Sequence, residues 1–326
     1  MTTQHPFGDL TPDVLLDAVE SLGVVSDGRL LALNSFENRV YQVGLEDGAP
    51  VIVKFYRPGR WSDAAILEEH AFAFELQEAE IPVVAPRVID GRSLHEYAGF
   101  RFAVFPRQGG RPPEFALPGN LEWMGRFMGR MHAVGGRKAF DHRPTLDLES
   151  FGVEPSRFLL EEGWIPAELE TPYRTLVEDL IGRIRRAYDA AGDVAHIRLH
   201  GDCHPGNVLW TDDGPHFVDL DDCRMGPAIQ DLWMLLSGER SERNLQMSII
   251  VEAYETFAAF DRRELHLVEA LRTLRMINFS AWLARRWDDP AFPQAFPWFE
   301  EARYWESHIL ELREQAAALD EPPLVV

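Results

Sequence analysis

Cysteine is nearly missing from this chain: Cys203 and Cys223 are the two thiols in 326 residues. Two thiols cannot build a disulfide framework, and the expectation is a reduced, cytoplasmic protein. Positive charge is also short. The 32 Lys and Arg stand against 53 Asp and Glu, a net −21 with histidine neutral, which excludes a general grip on nucleic acid or on an anionic membrane. No stretch reaches the ~18 uninterrupted apolar residues of a membrane helix. The opening MTTQHPFGDL has neither the basic nor the apolar region of an export signal. Internal repeats and low-complexity tracts are missing too. Apolar residues are plentiful at 46%, enough to fill cores in about two domains of ~150 residues each, so disorder and fibre are excluded.

The order of patterns predicts an α+β chain. Thr11 to Gly23 carries a Thr cap, an early Pro12 and apolar residues at helical spacing. Leu30–Leu33, Arg39–Leu45 and Val51–Phe55 are β-rich and broken by turn residues, an antiparallel meander. Ser62 caps a helix to about Ala79, and Phe100–Phe105 is one more strand ending at Pro106. After Gln108–Pro113 the apolar period changes from two to about 3.6, which places a boundary near residue 106. Residues 1–106 are expected to form a small β lobe and 107–326 a mainly helical one. In the second, Leu121, Met124, Met128 and Met131 make one stripe, while Gly125 and Gly129 leave room for a close neighbour. Further helices are expected at 171–192, 228–237, 242–260, 264–287 and 298–319. A β-rich interlude at 207–220 folds at Thr211–Gly214. The tail from Pro322 is expected to fray.

Polar residues crowd one turn of that interlude, His200-Gly201-Asp202-Cys203-His204-Pro205-Gly206-Asn207, and Asp219 ends the returning strand. Asx and Gly residues shape turns everywhere, so the crowding alone decides little. Order and spacing decide more. One carboxamide and one carboxylate, Asn207 and Asp219, are hard oxygen ligands suited to Mg2+ carrying substrate phosphates, which leaves Asp202 as a base. His200-Gly201-Asp202, then Asn207, then Asp219 resembles the kinase catalytic loop and metal aspartate. Such a site needs an upstream phosphate-binding lysine. Lys54 ends the apolar run Val51-Ile52-Val53, on the face of Ile52 and Tyr56, where a charge needs a partner. Glu69, flanked on its helix stripe by Ile66, Ala73 and Leu76, is preferred for that role over Glu68.

Together, Lys54, Glu69, His200-Gly201-Asp202, Asn207 and Asp219 resemble the protein-kinase-like fold in the variant shared by aminoglycoside phosphotransferases and choline kinases. The stretches Asn34 to Tyr41, Val53 to Pro58, His200 to Trp210 and Phe217 to Asp222 resemble more closely still the bacterial stress response kinase A family. Ala291-Phe292-Pro293 and Phe296-Pro297-Trp298 extend that likeness over almost the whole chain. The resemblance implies a two-lobed ATP- and Mg2+-dependent serine/threonine kinase, monomeric and linked to stress survival. It implies Asp202 as proton acceptor in a catalytic stretch 198–222, with Asn207 and Asp219 as metal ligands. It also implies Ser35 over the ATP phosphates, Val40 against adenine, Lys54 on the α- and β-phosphates with Glu69 as partner, and Phe105 at the adenine-binding hinge. Asp231 resembles a carboxylate that braces the catalytic loop.

Two departures matter. The phosphate turn has Ser35, Glu37 and Asn38 in place of a glycine-rich loop, and Glu37 would repel phosphates unless it points away. Asp219-Leu220-Asp221 replaces Asp-Phe-Gly and no Ala-Pro-Glu segment follows, so a regulated activation loop is not expected. A small-molecule phosphotransferase on the same fold is the first alternative acceptor reading. A zinc hydrolase built on His196, His200 and His204 is a second, and it would require a helix through 196–204. Oxidation of Cys203 or Cys223 beside the site is a further possibility.

Overall fold

The computed structural model describes residues 5–326. Along the chain run α1 (Pro12–Glu20), β1 (Ser26–Ala32), β2 (Arg39–Leu45), β3 (Val51–Phe55), α2 (Asp63–Glu78), β4 (His95–Tyr97) and β5 (Phe100–Pro106). Then come α3 (Pro118–Gly135), α4 (Glu154–Glu161), α5 (Ala167–Ala191), β6 (Ile197–Leu199), β7 (Val208–Thr211), β8 (Gly214–Phe217) and β9 (Arg224–Gly226). The chain closes with α6 (Ile229–Trp233), α7 (Arg240–Tyr254), α8 (Val268–Ala284), α9 (Ala291–Ala295) and α10 (Ala302–Ala318).

These elements make two compact units. One comprises the chain up to Glu114 together with Phe140–Arg143 and His204–Cys223. Its antiparallel sheet has the order β1-β2-β3-β5-β4. Val51, Val53 and Phe55 alternate along β3 and pack with Leu15 and Val19 of α1, Phe102 and Val104. The other side of β3 is covered as well, since Tyr56, Ala103 and Ile66 of α2 form a second apolar cluster. Lys54 is therefore buried, at 5% exposure. The hairpin β7–β8 turns at Thr211 to Gly214 and pairs Val208 with Phe217; Val84 and Phe217 extend the pairing, with Val84 N–H donating to Phe217 O.

The second unit is helical apart from the short pair β6–β9. α3 lies against α7 at the glycines: a Cβ on Gly125 would stand 2.4 Å from Ile250 O, and one on Gly129 2.5 Å from Tyr254 O. Here the space left by glycine is what allows the approach.

Several boundaries differ from the sequence pattern. α5 begins at Ala167 and carries Pro172 inside it, early enough that the missing N–H sacrifices one bond to the helix's first turn. The expected helix 264–287 divides into a 3-10 segment, Arg262–Leu267, and α8. The tail is tied down where fraying was expected. Arg240 donates to Glu321 at 2.9 Å and to Pro323 O at 3.0 Å, Val325 N–H donates to Asn244 at 3.0 Å, and Leu324 is buried.

Candidate active site

Period-two alternation aims Lys54 away from the Val51-Val53-Phe55 face and toward α2. There Lys54 Nζ meets Glu69 Oε1 at 3.3 Å, Asp219 Oδ1 at 3.0 Å and Asp221 Oδ1 at 3.2 Å. Glu68, the competing carboxylate, faces elsewhere and accepts the N–H groups of Asp141 and His142 at 2.6 and 2.8 Å. Burial works to lower the Lys54 pKa, but the carboxylates of Asp219, Asp221 and Glu69 outweigh it and hold the ammonium well above its ordinary value. Val40 is the cross-strand partner of Lys54 on one side and Ala103 on the other, and half-buried Phe105 pairs with Ile52 near the end of β5.

Asp219 follows β8 with φ 59° and ψ 67°, in the left-handed region. That backbone is unfavourable for a side chain larger than glycine, though Asp and Asn tolerate it best. Its carboxylate is 53% exposed while it pairs with Lys54. Asn207 stands beside it, because Val218 N–H donates to Asn207 O at 3.0 Å. One open carboxylate and one carboxamide at the root of the same hairpin form an oxygen donor set that fits Mg2+ better than a softer metal.

The turn at Ser35 to Asn38 is knit into this site. Ser35 Oγ donates to Asn38 O at 3.1 Å. Asn38 is buried, accepts the Arg57 N–H at 3.0 Å, and hydrogen-bonds the Asp221 carboxylate. Glu37, the departure that seemed hostile to phosphates, faces Arg57 and Arg60 at 3.8 Å each. Arg60 pairs in turn with Asp221 and, at 2.8 Å, with Asp222. Arg143 donates to Glu69 Oε2 at 2.9 Å and to Asp221 O at 2.5 Å. Burial works to raise the Asp221 pKa, yet Arg60, Lys54 and Arg143 pull it well below the usual carboxylate range. Sequence reasoning missed Asn38, Arg60, Arg143 and Asp221 as one network. A signal existed for the last, a second aspartate two residues after Asp219.

In the helical unit, Asp231 on α6 is fully buried and braces the loop before Asp202. Its carboxylate accepts the N–H of His200 at 2.8 Å and of Gly201 at 2.9 Å, and it meets His132 Nε2 at 3.2 Å. Gly201 takes φ +84°, a turn open to glycine. The Asp202 N–H points to His200 Nδ1 at 3.4 Å. The Asp202 carboxylate receives Arg275 of α8 at 2.5 Å. No sequence pattern pointed to Arg275.

The alternative chemistries lose their footing here. Residues 197–199 are a strand, so the every-fourth-residue histidines do not share a helix face and the zinc arrangement lacks its scaffold. Cys203 and Cys223 are fully buried. Burial also pushes the Cys203 thiol up, away from the reactive thiolate.

The phosphotransferase enzyme family matches residues 29–268. Stress response kinase A of Escherichia coli O157:H7 is 47% identical over 318 residues, covering 98% of this chain and 96% of that protein. The chain belongs to the stress response kinase A family of phosphotransferases. A further member, the serine/threonine protein kinase RdoA of Salmonella typhimurium, is 44% identical with the same coverage. Among solved structures, amicoumacin kinase hAmiN, determined with AMP-PNP, Ca2+ and Ami, covers 96% of this chain and 94% of its own at 20% identity and a TM-score of 0.75. A microcompartment-associated aminopropanol kinase covers 94% and 97% at 17% identity and 0.68. At those identities the two structures speak for the protein-kinase-like fold. Membership of the family makes the chain an ATP-dependent phosphotransferase.

Proposed function

We propose that the protein is an ATP- and Mg2+-dependent serine/threonine kinase of the stress response, acting as a cytoplasmic monomer. The observation that carries the reading is the meeting of Lys54, Glu69 and Asp219 at the root of the β7–β8 hairpin, with Asn207 beside it. In this reading residues 1–106 act as nucleotide lobe and 107–326 as acceptor lobe, with the stretch 204–223, which belongs to the first compact unit, lending Asn207 and Asp219 to the nucleotide side. Ser35 lies over the triphosphate, Val40 and Phe105 flank adenine, and Lys54, held by Glu69, aligns the α- and β-phosphates. Asn207 and Asp219 hold Mg2+, which supplies charge neutralisation on the phosphates. Asp202 orients the acceptor hydroxyl and takes its proton as the γ-phosphoryl transfers in line, so catalysis is positioning plus charge neutralisation. The serine/threonine acceptor rests on the 44–47% identical, full-length relatives that carry kinase names.

Label from γ-labelled ATP, offered with protein acceptors beside aminoglycosides, choline and homoserine, tests the acceptor class. Phosphoserine or phosphothreonine on protein is the expected result. Label confined to a small molecule would keep the fold and site and overturn the protein acceptor.

A further inference from the structure

The Asp202 carboxylate is reached from the solvent side by a residue whose neighbours have no role in the site described so far. Arg275, 44% exposed, holds Asp202 Oδ1 at 2.5 Å. One turn further along the same face of α8 stands Phe279, 40% exposed, and the next turn brings Trp282. Phe279 stacks on Trp282 with centroids 5.7 Å apart. Phe296 closes on Trp282 edge to face at 6.1 Å, and Trp298, 37% exposed, continues the row at 5.8 Å from Phe296. The result is a ledge of partly open aromatic rings that starts where an acceptor hydroxyl must sit.

Charge says what the ledge takes. Residues 287–301, between Arg286 and Arg303, contain Asp288, Asp289, Glu300 and Glu301 and no lysine or arginine, and all of these carboxylates but Asp289 are exposed. Ring faces are themselves negative and attract cations, more strongly when flanking carboxylates add to the field. The chain already uses one of these rings in that way, since Arg286 lies 5.4 Å above Trp282. The whole protein, at −21, repels an acidic acceptor.

We propose that Phe279, Trp298 and the exposed carboxylates Asp288, Glu300 and Glu301 form a specificity subsite for a lysine or arginine of the acceptor polypeptide, set apart in sequence from the phosphorylated serine or threonine. The inference rests on the protein-kinase reading. Phe279 and Trp282 lie about 6 and 10 Å along α8 from Arg275, and an extended chain spans about 3.4 Å per residue, so the basic residue falls about two to three positions from the hydroxyl.

The test is a set of serine peptides in which one arginine is walked outward on both sides of the serine, with the all-alanine peptide as reference, assayed on wild type, Phe279→Leu and Trp298→Leu. Leucine keeps apolar bulk and removes the ring face, and thermal melts check that the variants fold. One arginine register is expected to raise kcat/KM by about tenfold in wild type. Both variants are expected to lose that discrimination while keeping the KM for ATP. Peptide phosphorylation without a preferred register, or a preference that both variants keep, overturns the inference and leaves the kinase reading standing. Label on free amino alcohols and on no peptide overturns both.

Discussion

Lys54 and Asp221 face each other at 3.2 Å, with side chains 6% and 4% exposed. Asp221 also takes Arg60 and Asn38, so one buried carboxylate joins the turn at Ser35 to Asn38, Lys54 and the stretch after Asp219. Removing one member of a buried ion-pair network leaves the others uncompensated, at a cost of about 3–5 kcal/mol. Asp221→Ala is expected to lower the unfolding free energy by about that much and to raise the KM for ATP. The double variant Asp221→Ala with Arg60→Gln is expected to lose less than the sum of the Asp221→Ala and Arg60→Gln losses. Denaturant titrations of the single and double variants check the coupling; strictly additive losses would contradict it.

Arg275 of α8 holds the Asp202 carboxylate at 2.5 Å. Arg275→Ala is expected to reduce kcat by about 10- to 100-fold through loss of carboxylate orientation, the range of misplacement effects, with the KM for ATP unchanged. Arg275→Lys is expected to restore part of the rate. Steady-state kinetics with ATP and acceptor varied separately check the split, and an equal effect on both KM values would argue for a general structural defect.

Stability should fall in mild acid. His70 is buried between Tyr56 OH at 2.8 Å and Ser93 Oγ at 2.9 Å, and burial, helped by Lys54 and Arg143, pushes its pKa down to about 3. Burial likewise pushes His308 down to about 4. An unfolded histidine titrates near 6.5. Between the folded and unfolded values the unfolded chain binds the extra protons, so stability is complete above about pH 6.5 and is lost as pH falls toward 4 and 3. Each histidine is expected to account for about 2 kcal/mol between pH 7 and pH 5. Urea titrations at the two pH values check this, and His70→Gln should flatten the dependence.

The α3–α7 approach gives a packing prediction. At Gly129 an added methyl would stand 2.5 Å from the backbone oxygen of Tyr254, which cannot swing aside as a side chain can. Gly129→Ala is expected to destabilise by about 1–3 kcal/mol despite alanine's better helix propensity. Gly182→Ala on α5, where the nearest atom is the end of the Arg186 side chain at 3.7 Å, should be neutral or stabilising.

Much of this was legible in the sequence because strong local patterns carried it. Period-two runs marked β2, β3 and β5, the Ser62 cap marked α2, and the alternation along Val51 to Phe55 forced Lys54 onto a face where a carboxylate had to meet it. Gly125 and Gly129 announced a close neighbour without naming α7. The missing parts are non-local. Arg60, Arg143 and Arg275 look like ordinary surface arginines until the fold brings Asp221, Glu69 and Asp202 to them, across 161, 74 and 73 positions. The docked tail escaped for the same reason, since Arg240 and Asn244 hold it from α7. The 3-10 stretch before α8 follows an apolar pattern that suits either helix type.

In the proposed reaction Asp202 acts on the acceptor while Asp219 serves the metal and nucleotide. The most direct measurement is γ-phosphoryl transfer with Mg2+ in wild type, Asp202→Asn and Asp219→Ala, read beside Mg-ATP affinity by calorimetry. Asp202→Asn is expected to lose transfer by about 100-fold or more, from the lower end of general-base effects upward, and to keep Mg-ATP affinity, while Asp219→Ala loses both. Near-normal turnover in Asp202→Asn, or unchanged Mg-ATP affinity in Asp219→Ala, would contradict it.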